Sequence, residues 1–209
     1  MELKNQLIKA LDELRKNEDR KFNQTVDLII NLQKFDVKKQ NINLFLDIPY
    51  KIKDKNIAGF FESKNKDIET ITPTEFKNYS DKKELRKLAK KFDFFIAQAN
   101  LMPKVATVFG RVLGPAGKMP SPQMGILMDA DEKSIKALRE KINNSVKIKI
   151  KEASIKLAIG KQNMKNEEIT ENILSVYNAV MKVLPKGKDN IKNIEIKFTM
   201  TKPQKIMVR

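Results

Sequence analysis

The 209-residue chain contains no cysteine and no histidine, which excludes disulfides, zinc sites built on thiolates or imidazoles, and Ser-His-Asp or Cys-His catalytic relays. Its formal net charge of +16 favours a polyanionic partner over a merely basic surface, and nucleic acid is the usual polyanion. All apolar stretches are shorter than the ~20 residues of a membrane-spanning helix, so we expect no transmembrane segment.

The first segment, residues 1–52, is predicted to form one amphipathic helix followed by two half-buried strands. Residues 1–7 lack the basic region and long apolar run of a secretory signal, so we expect a cytoplasmic protein. Residues 22–32 and 42–48 alternate apolar and polar side chains, as half-buried strands do. The helix stripe is Leu3, Leu7, Leu11 and Leu14, and the inward set of the first strand is Val26, Leu28, Ile30 and Leu32.

Residues 53–143 follow a different pattern, in which short apolar runs alternate with helical stretches. This alternation is typical of a small parallel sheet covered by helices, an α/β arrangement. The predicted strands are 56–61, 68–71, 92–97 and 125–128, and the predicted helices are 81–91, 101–113 and 132–142. Five phenylalanines lie in the strand runs, where core packing is favoured over stacking on nucleic-acid bases: Phe60, Phe61, Phe92, Phe94 and Phe95.

The alternating pattern returns in residues 144–209. Apolar residues at 146–150 and 155–159 alternate with lysines, and a helix over 167–184 is predicted to end at Pro185 and Gly187. The last predicted strand directs Ile194, Ile196 and Phe198 inward, with Glu195, Lys197, Thr199 and Thr201 on the opposite side. Met200 falls on the inward side of this alternation, so either the strand ends by Thr199 or the alternation breaks there.

The similar patterns of the two ends predict one α+β sandwich domain built from residues 1–52 and 144–209, with an α/β domain of residues 53–143 inserted. Strands from both ends can then share one sheet whose helices cover a single face. A linear array of three units is the alternative, but the first segment alone is too small for its own core. The combined terminal segments carry +10 of the net charge.

The outward faces of the first and last strands carry Thr25, Asp27, Lys197, Thr199 and Thr201. Hydroxyls and lysines suit RNA, because the 2′-hydroxyl donates and accepts hydrogen bonds and phosphates attract cations. A carboxylate repels phosphate, so Asp27 on such a face would accept from a ribose hydroxyl or a base amino group. Ordinary solvated strand positions are the alternative.

The run from Leu113 to Pro122 contains three prolines and two glycines, which predicts a stiff loop rather than a helix or a central strand. It is not a phosphate-binding loop, because Val112 stands where the first glycine is required and Met119 follows Lys118. No Gly-x-Gly-x-x-Gly turn follows the predicted strand at 56–61, so no dinucleotide site or other cofactor site is expected.

This run closely resembles the signature loop of the L-one family of ribosomal proteins, with Ala116 where the family usually has Arg. Three further segments resemble that family: Phe22–Asp27, the Gly160 to Met164 spacing, and Phe198–Met200. The family usually continues with Gly-Pro after this Thr-Met pair, whereas this chain has Thr201-Lys202-Pro203. Lys118 and the lack of a long N-terminal extension favour the archaeal type.

The resemblance implies the nested two-domain fold, with a Rossmann-like inserted domain, and it implies two sets of functional residues. The signature loop comprises Gly114, Pro115, Gly117, Lys118, Met119 and Pro120. The RNA-binding residues are expected to be Phe22, Gln24, Thr25, Asp27, Lys156, Gly160, Lys161, Met164, Lys197, Thr199, Met200 and Thr201.

The implied function is structural: binding large-subunit rRNA to form the mobile stalk near the tRNA exit site, and assisting release of deacylated tRNA. Its partners would be rRNA and exit-site tRNA, with repression of its own mRNA left open, and the protein would act as a monomer within the ribosome. The alternatives are a small α/β enzyme or ligand-binding protein with an incidental basic surface, and a membrane-surface protein. We expect no enzyme, since no acid/base pair, cofactor motif or metal cluster is recognisable.

Overall fold

A computed structural model describes residues 2–17, 20–37, 42–79, 81–128, 131–150 and 152–206. The chain divides into two compact units. We call Met1–Ile52 together with Asn144–Arg209 the terminal unit, and Lys53–Asn143 the central unit.

Five α-helices and ten strands are present in the described ranges. The helices are α1 (Glu2–Arg15), α2 (Lys82–Lys91), α3 (Met102–Ala116), α4 (Glu132–Asn143) and α5 (Asn166–Val183). The strands are β1 (Thr25–Leu32), β2 (Asn43–Asp47), β3 (Ile57–Phe60), β4 (Glu69–Ile71), β5 (Phe94–Gln98), β6 (Ile126–Leu127), β7 (Ser145–Lys149), β8 (Ser154–Lys161), β9 (Ile191–Phe198) and β10 (Gln204–Ile206).

The terminal unit is organised around a four-stranded antiparallel sheet in the order β10-β9-β1-β8. Every second side chain of β1 is buried, as its alternation predicts. Helices α1 and α5 pack against each other and against the sheet, and their buried side chains share one core with Val26, Leu28 and Ile30. The predicted helix stripes and the inward set of β1 are therefore confirmed, with the strand beginning at Thr25 rather than Phe22.

Strands from both ends of the chain share the large sheet, as expected, but strands β2 and β7 do not join it. They form a separate antiparallel pair in which Phe45 lies opposite Lys147. Hydrogen bonds from the Ile48 amide to the Asn144 carbonyl (2.7 Å) and from the Ile150 amide to the Ile42 carbonyl (3.0 Å) continue the pairing beyond the strands. The segments that lead into and out of the central unit thus satisfy each other's backbone groups.

The central unit contains a four-stranded parallel sheet in the order β4-β3-β5-β6, as the sequence predicts. Its core is rich in aromatic side chains. The Phe60 ring stacks on Phe95 with centroids 5.6 Å apart and contacts Phe109 at 4.7 Å, and Phe76 meets Phe109 edge to face. Phe60, Phe61, Phe92 and Phe95 are buried and Phe94 is half-buried, in agreement with a packing role.

The proline-rich run is partly helical, so the prediction of a loop over its whole length is wrong. Helix α3 continues through Gly114 and Pro115 to Ala116. Pro115 has no amide to donate to the Arg111 carbonyl, but only one helical residue follows it, so the loss falls at the end of the helix. Gly117 ends the helix with φ of +69°, its amide donating to the Gly114 carbonyl and that of Lys118 to the Leu113 carbonyl, both at 2.9 Å.

One buried side chain, Asn172 of α5, ties three backbone groups together. Its side-chain oxygen accepts from the Tyr50 amide at 2.9 Å, and its side-chain nitrogen donates to the carbonyls of Tyr50 (2.9 Å) and Ile159 (3.1 Å). Asn172 is 0% exposed, so water cannot replace these bonds. The helix thereby fixes the segment that follows β2 and the end of β8.

We predict that Asn172→Ala lowers the free energy of unfolding by about 2–4 kcal/mol, because buried backbone groups lose their partner. Asn178→Ala, at an exposed position of the same helix, is the matched control. The measurement is urea unfolding followed by circular dichroism. Equal small changes in both variants would show that the three bonds do not contribute.

Candidate nucleic-acid interface

Three segments that are distant in sequence meet at one end of the large sheet. They are the start of β1, the turn after β8 and the turn after β9, and we call their outer face the three-segment surface (residues 22–27, 160–164 and 197–201). Lys161 Nζ donates to Thr25 Oγ1 at 2.8 Å, and the Thr25 amide donates to Thr199 Oγ1 at 3.0 Å. Thr25 of β1 is thus hydrogen-bonded to Lys161 on one side and to the Thr199 hydroxyl on the other.

Gln24 holds the surface together from inside. Its side chain is only 1% exposed, and its Oε1 accepts from the Met200 amide at 3.0 Å. Its backbone carbonyl accepts from the Gln162 amide at 2.8 Å. Gln24 therefore positions both neighbouring turns, and its side chain is not presented to solvent.

The end of β9 differs from the predicted alternation. The strand ends at Phe198, and the Thr201 amide donates to the Phe198 carbonyl at 3.1 Å to close a tight turn. Thr199 and Thr201 are therefore turn residues, which corrects their placement on the strand. Thr201 Oγ1 accepts from the Phe198 amide at 2.9 Å, and Met200 is 61% exposed. Of the two possibilities for Met200, the strand ends before it.

The turn after β8 is compact and fixes Gly160 and Met164. The Met164 amide donates to the Lys161 carbonyl at 3.0 Å, and the Lys161 amide donates to Met164 Sδ at 3.3 Å. The Met164 side chain packs against the core rather than extending outward. A Cβ at Gly160 would lie 3.1 Å from Ile169 Cγ1, so the glycine permits close approach of α5.

Arg15, which sequence reasoning missed, anchors this turn from the end of α1. Its guanidinium donates to the carbonyls of Gln162 (2.8 Å) and Met164 (2.6 Å) and to Asn166 Oδ1 (2.7 Å). Asn23 contributes as well, since its Oδ1 accepts from the Asn163 amide at 3.3 Å. Contacts between residues so far apart in sequence leave no periodic signal.

Asp27 and Lys197 lie directly opposite each other on β1 and β9. A bulge between Val26 and Asp27 shifts the register with β8, so that Thr25 faces Lys161 and Asp27 faces Ala158. Burial raises the pKa of the Asp27 carboxyl above its ordinary 3.8, and the positive charges of Lys197 and Lys161 oppose this only in part. The carboxylate is therefore held at a free-energy cost.

Two expected RNA-binding positions lie at the margins of this arrangement. Phe22, two residues before Gln24, is 51% exposed. Lys156 lies opposite Ile29, four residues along β1 from Thr25 or about 13 Å, and it forms an ion pair with Glu152 at 3.2 Å. Lys156 is thus separate from the hydrogen-bonded cluster.

The signature-loop residues lie in the central unit and serve its packing. Lys118 Nζ donates to the carbonyls of Ala89 and Phe92, both at 2.8 Å, and so caps the end of α2. Pro120 is buried and Met119 packs against the core, while Gly114 and Pro115 belong to α3. The Lys118 ammonium therefore stabilises the fold of the central unit.

Metal-binding clusters and membrane-spanning helices were sought among the described residues. Among them, no cluster of three or more acidic side chains could hold a metal ion. None of the helices in these ranges is long and apolar enough to cross a membrane.

Comparison with known proteins gives one consistent family. Residues 14–202 match the model of the "Ribosomal protein L1p/L10e family". Among curated relatives, large ribosomal subunit protein uL1 of Nanoarchaeum equitans is 35% identical over 196 residues, covering 89% of this chain and 92% of the relative. The uL1 proteins of Pyrobaculum islandicum (36% over 208 residues, 94% and 90% covered) and Pyrococcus abyssi (32% over 206 residues, 93% and 92% covered) are similar.

These matches confirm the family resemblance of the sequence and its two-domain mixed α/β fold, and they leave no support for the alternative of an enzyme. A ribosomal constituent works in the cytoplasm, which agrees with the expected location. The chain belongs to the ribosomal L1 family, in its archaeal form, and is a structural, non-enzymatic constituent of the large ribosomal subunit.

Proposed function

We propose that the terminal unit is an rRNA-binding domain and that it binds large-subunit rRNA through the three-segment surface. The observation that carries this proposal is the pair of hydrogen bonds that joins Lys161, Thr25 and Thr199 across three chain segments. Polar side chains are thereby fixed before RNA arrives, which reduces the conformational entropy lost on binding.

The chemistry of the surface matches the groups that RNA presents. Lys161 and Lys197 supply charges for phosphates, and the hydroxyls of Thr25 and Thr199 can exchange hydrogen bonds with ribose. Met200 and Phe22 are large apolar side chains exposed to solvent, suited to pack against bases or sugars. Such a surface combines salt-sensitive attraction between lysines and phosphates with contacts to ribose and bases.

Asp27 is the residue of this surface that would distinguish hydrogen-bond donors of RNA from phosphates. The fold keeps a carboxylate where burial disfavours its charge, between two lysines that only partly compensate. Phosphate would be repelled by this group, so its RNA partner must be a hydrogen-bond donor, such as a ribose hydroxyl or a base amino group.

Membership of the ribosomal L1 family supports a further proposal, on the role of the bound protein during translation. We infer that the bound protein and its rRNA form the mobile stalk beside the tRNA exit site and assist release of deacylated tRNA. We include repression of its own mRNA in the same proposal, because an mRNA segment with the fold of the rRNA site would bind the same surface. Competition between the two RNAs for purified protein tests this last part.

Removing the linked hydroxyls or the lysine should weaken rRNA binding. Thr25→Ala, Thr199→Ala and Lys161→Met are each expected to lower the affinity for large-subunit rRNA by about 1–3 kcal/mol, or roughly five- to 150-fold, because desolvated polar groups lose partners. Thr107→Ala and Lys182→Met, at exposed positions outside the surface, are the controls. Unchanged affinity in the three variants, measured by filter binding, would refute the location of the interface.

The salt dependence of binding should separate phosphate contacts from the others. We expect log affinity to fall linearly with log salt, and we expect Lys161→Met to make the slope shallower by about one phosphate contact while Thr199→Ala leaves it unchanged. Titrations at four salt concentrations measure this. A common slope and affinity for cognate and random RNA would leave only nonspecific electrostatic binding.

Asp27→Asn should separate stability from binding. The pKa of Asp27 in the folded protein lies above 3.8, so the unfolded chain releases this proton more readily. The free energy of unfolding therefore falls as the pH rises from 3.8 through the folded pKa. The variant should therefore melt at a higher temperature than the wild type at pH 7, with the difference shrinking as pH falls below the folded pKa. Its rRNA affinity should nevertheless decrease.

The control for this experiment is Asp189→Asn, which removes an exposed carboxylate. Thermal melting between pH 3 and pH 7 and rRNA binding at pH 7 are the two measurements. A variant that is less stable at pH 7, or that binds rRNA with full affinity, contradicts the assigned role of Asp27.

A further inference from the structure

A groove of about 540 Å³ lies in the central unit between α2, α3 and the short helical turn Glu75–Tyr79. Its apolar lining comes from Phe76, Leu85, Val108 and Val112. Phe76 and Leu85 are buried and the two valines are half-buried, so these side chains form the floor. The rRNA-binding surface proposed above belongs to the other unit and does not use this groove.

The rim of the groove is cationic. Lys77, Lys82 and Arg111 line it, and no carboxylate does among the residues that the structure describes. Within the described residues, the side chains of Lys82 and Arg111 form no hydrogen bond or ion pair. Three acidic residues are adjacent in sequence, and each has a partner elsewhere. Glu84 pairs with Lys87 at 2.7 Å, Glu75 accepts from the Thr72 amide at 3.1 Å, and Asp81 accepts from the Lys83 amide at 3.1 Å. The groove therefore carries positive charge at Lys82 and Arg111 above an apolar floor.

The lining is unsuited to a nucleotide base. The Tyr79 ring lines the groove, but it packs against Phe109 with centroids 5.6 Å apart and is half-buried, so only part of it is available for stacking. The Thr107 hydroxyl donates to the Pro103 carbonyl at 3.0 Å within α3. A floor of one phenylalanine and three aliphatic side chains favours apolar side chains, and a rim of cations favours carboxylates.

We propose that this groove binds an acidic peptide segment of a protein partner, with two apolar side chains on the floor and carboxylates on Lys82 and Arg111. The guanidinium of Arg111 can hold a carboxylate through two hydrogen bonds, which would fix the direction of the peptide. Apolar anchors at helical spacing between acidic residues are the pattern that fits a groove between two helices.

The test uses the full chain and a fluorescein-labelled peptide of 14 residues, with leucines at helical spacing and Glu or Asp elsewhere. We expect saturable binding by fluorescence anisotropy. Arg111→Glu and Lys82→Glu should each weaken it at least about tenfold. Arg86→Glu and Lys90→Glu, which reverse exposed charges of α2 outside the groove, should bind like the wild type.

Several results would overturn the proposal. They are the absence of saturable binding to the wild type, equal losses in all four variants, and equal binding of a peptide in which serines replace the leucines. Stronger competition by a single-stranded oligouridine would assign the groove to RNA instead. Concentration-dependent self-association abolished by Arg111→Glu would assign it to a second copy of this chain. Unchanged circular dichroism spectra and melting temperatures show that the variants are folded, and unchanged rRNA binding keeps this test independent of the proposed function.

Discussion

The pairing of β1 with both β8 and β9 is the constraint on which the terminal unit depends. Because β1 is flanked on both sides, residues 136 and 174 positions away in the chain come within hydrogen-bond distance of Thr25. The same strand buries every second side chain beneath α1 and α5. One strand therefore supplies both the centre of the core and the centre of the proposed RNA surface, and a change that breaks its pairing removes both.

The surface contains residues with two different tasks. Gln24, Thr201 and Met164 have their side chains engaged within the protein, where they hold turns in place. Met200 and Phe22 are exposed to solvent, and Lys161 holds its ammonium at the surface through its hydrogen bond to Thr25. Residues of the first kind can matter for RNA binding through position alone, which is the role that Arg15 also has beneath the turn after β8. Asp27 differs from both, because burial disfavours its charge and the nearby lysines offset this only in part.

Local periodicity predicted the elements but not the contacts between them. The alternation around Val26 and Leu28 was sufficient to predict β1, and the helical spacing of apolar residues was sufficient to predict α5. Both elements bury one face, and burial of one face leaves a local pattern in the sequence. The separate pairing of β2 with β7 was not predictable, because alternation reports burial and not the partner strand. A loop was predicted at Pro115 because proline is costly in the interior of a helix. In the structure Pro115 lies in the last turn of α3, next to the end of the helix. The bonds of Arg15 and Asn172 join distant segments and have no sequence signal at all.

Hydroxyl-radical footprinting of the full chain with and without large-subunit rRNA tests the central claim most directly. Side chains covered by RNA are protected from oxidation, and methionine is among the most readily oxidised. Met200 in the terminal unit is 61% exposed and Met128 in the central unit is 79% exposed, so the chain carries its own reference. The three-segment surface predicts strong protection of Met200 and Phe22 with little change at Met128. Protection of Met128 with Met200 still reactive would contradict it.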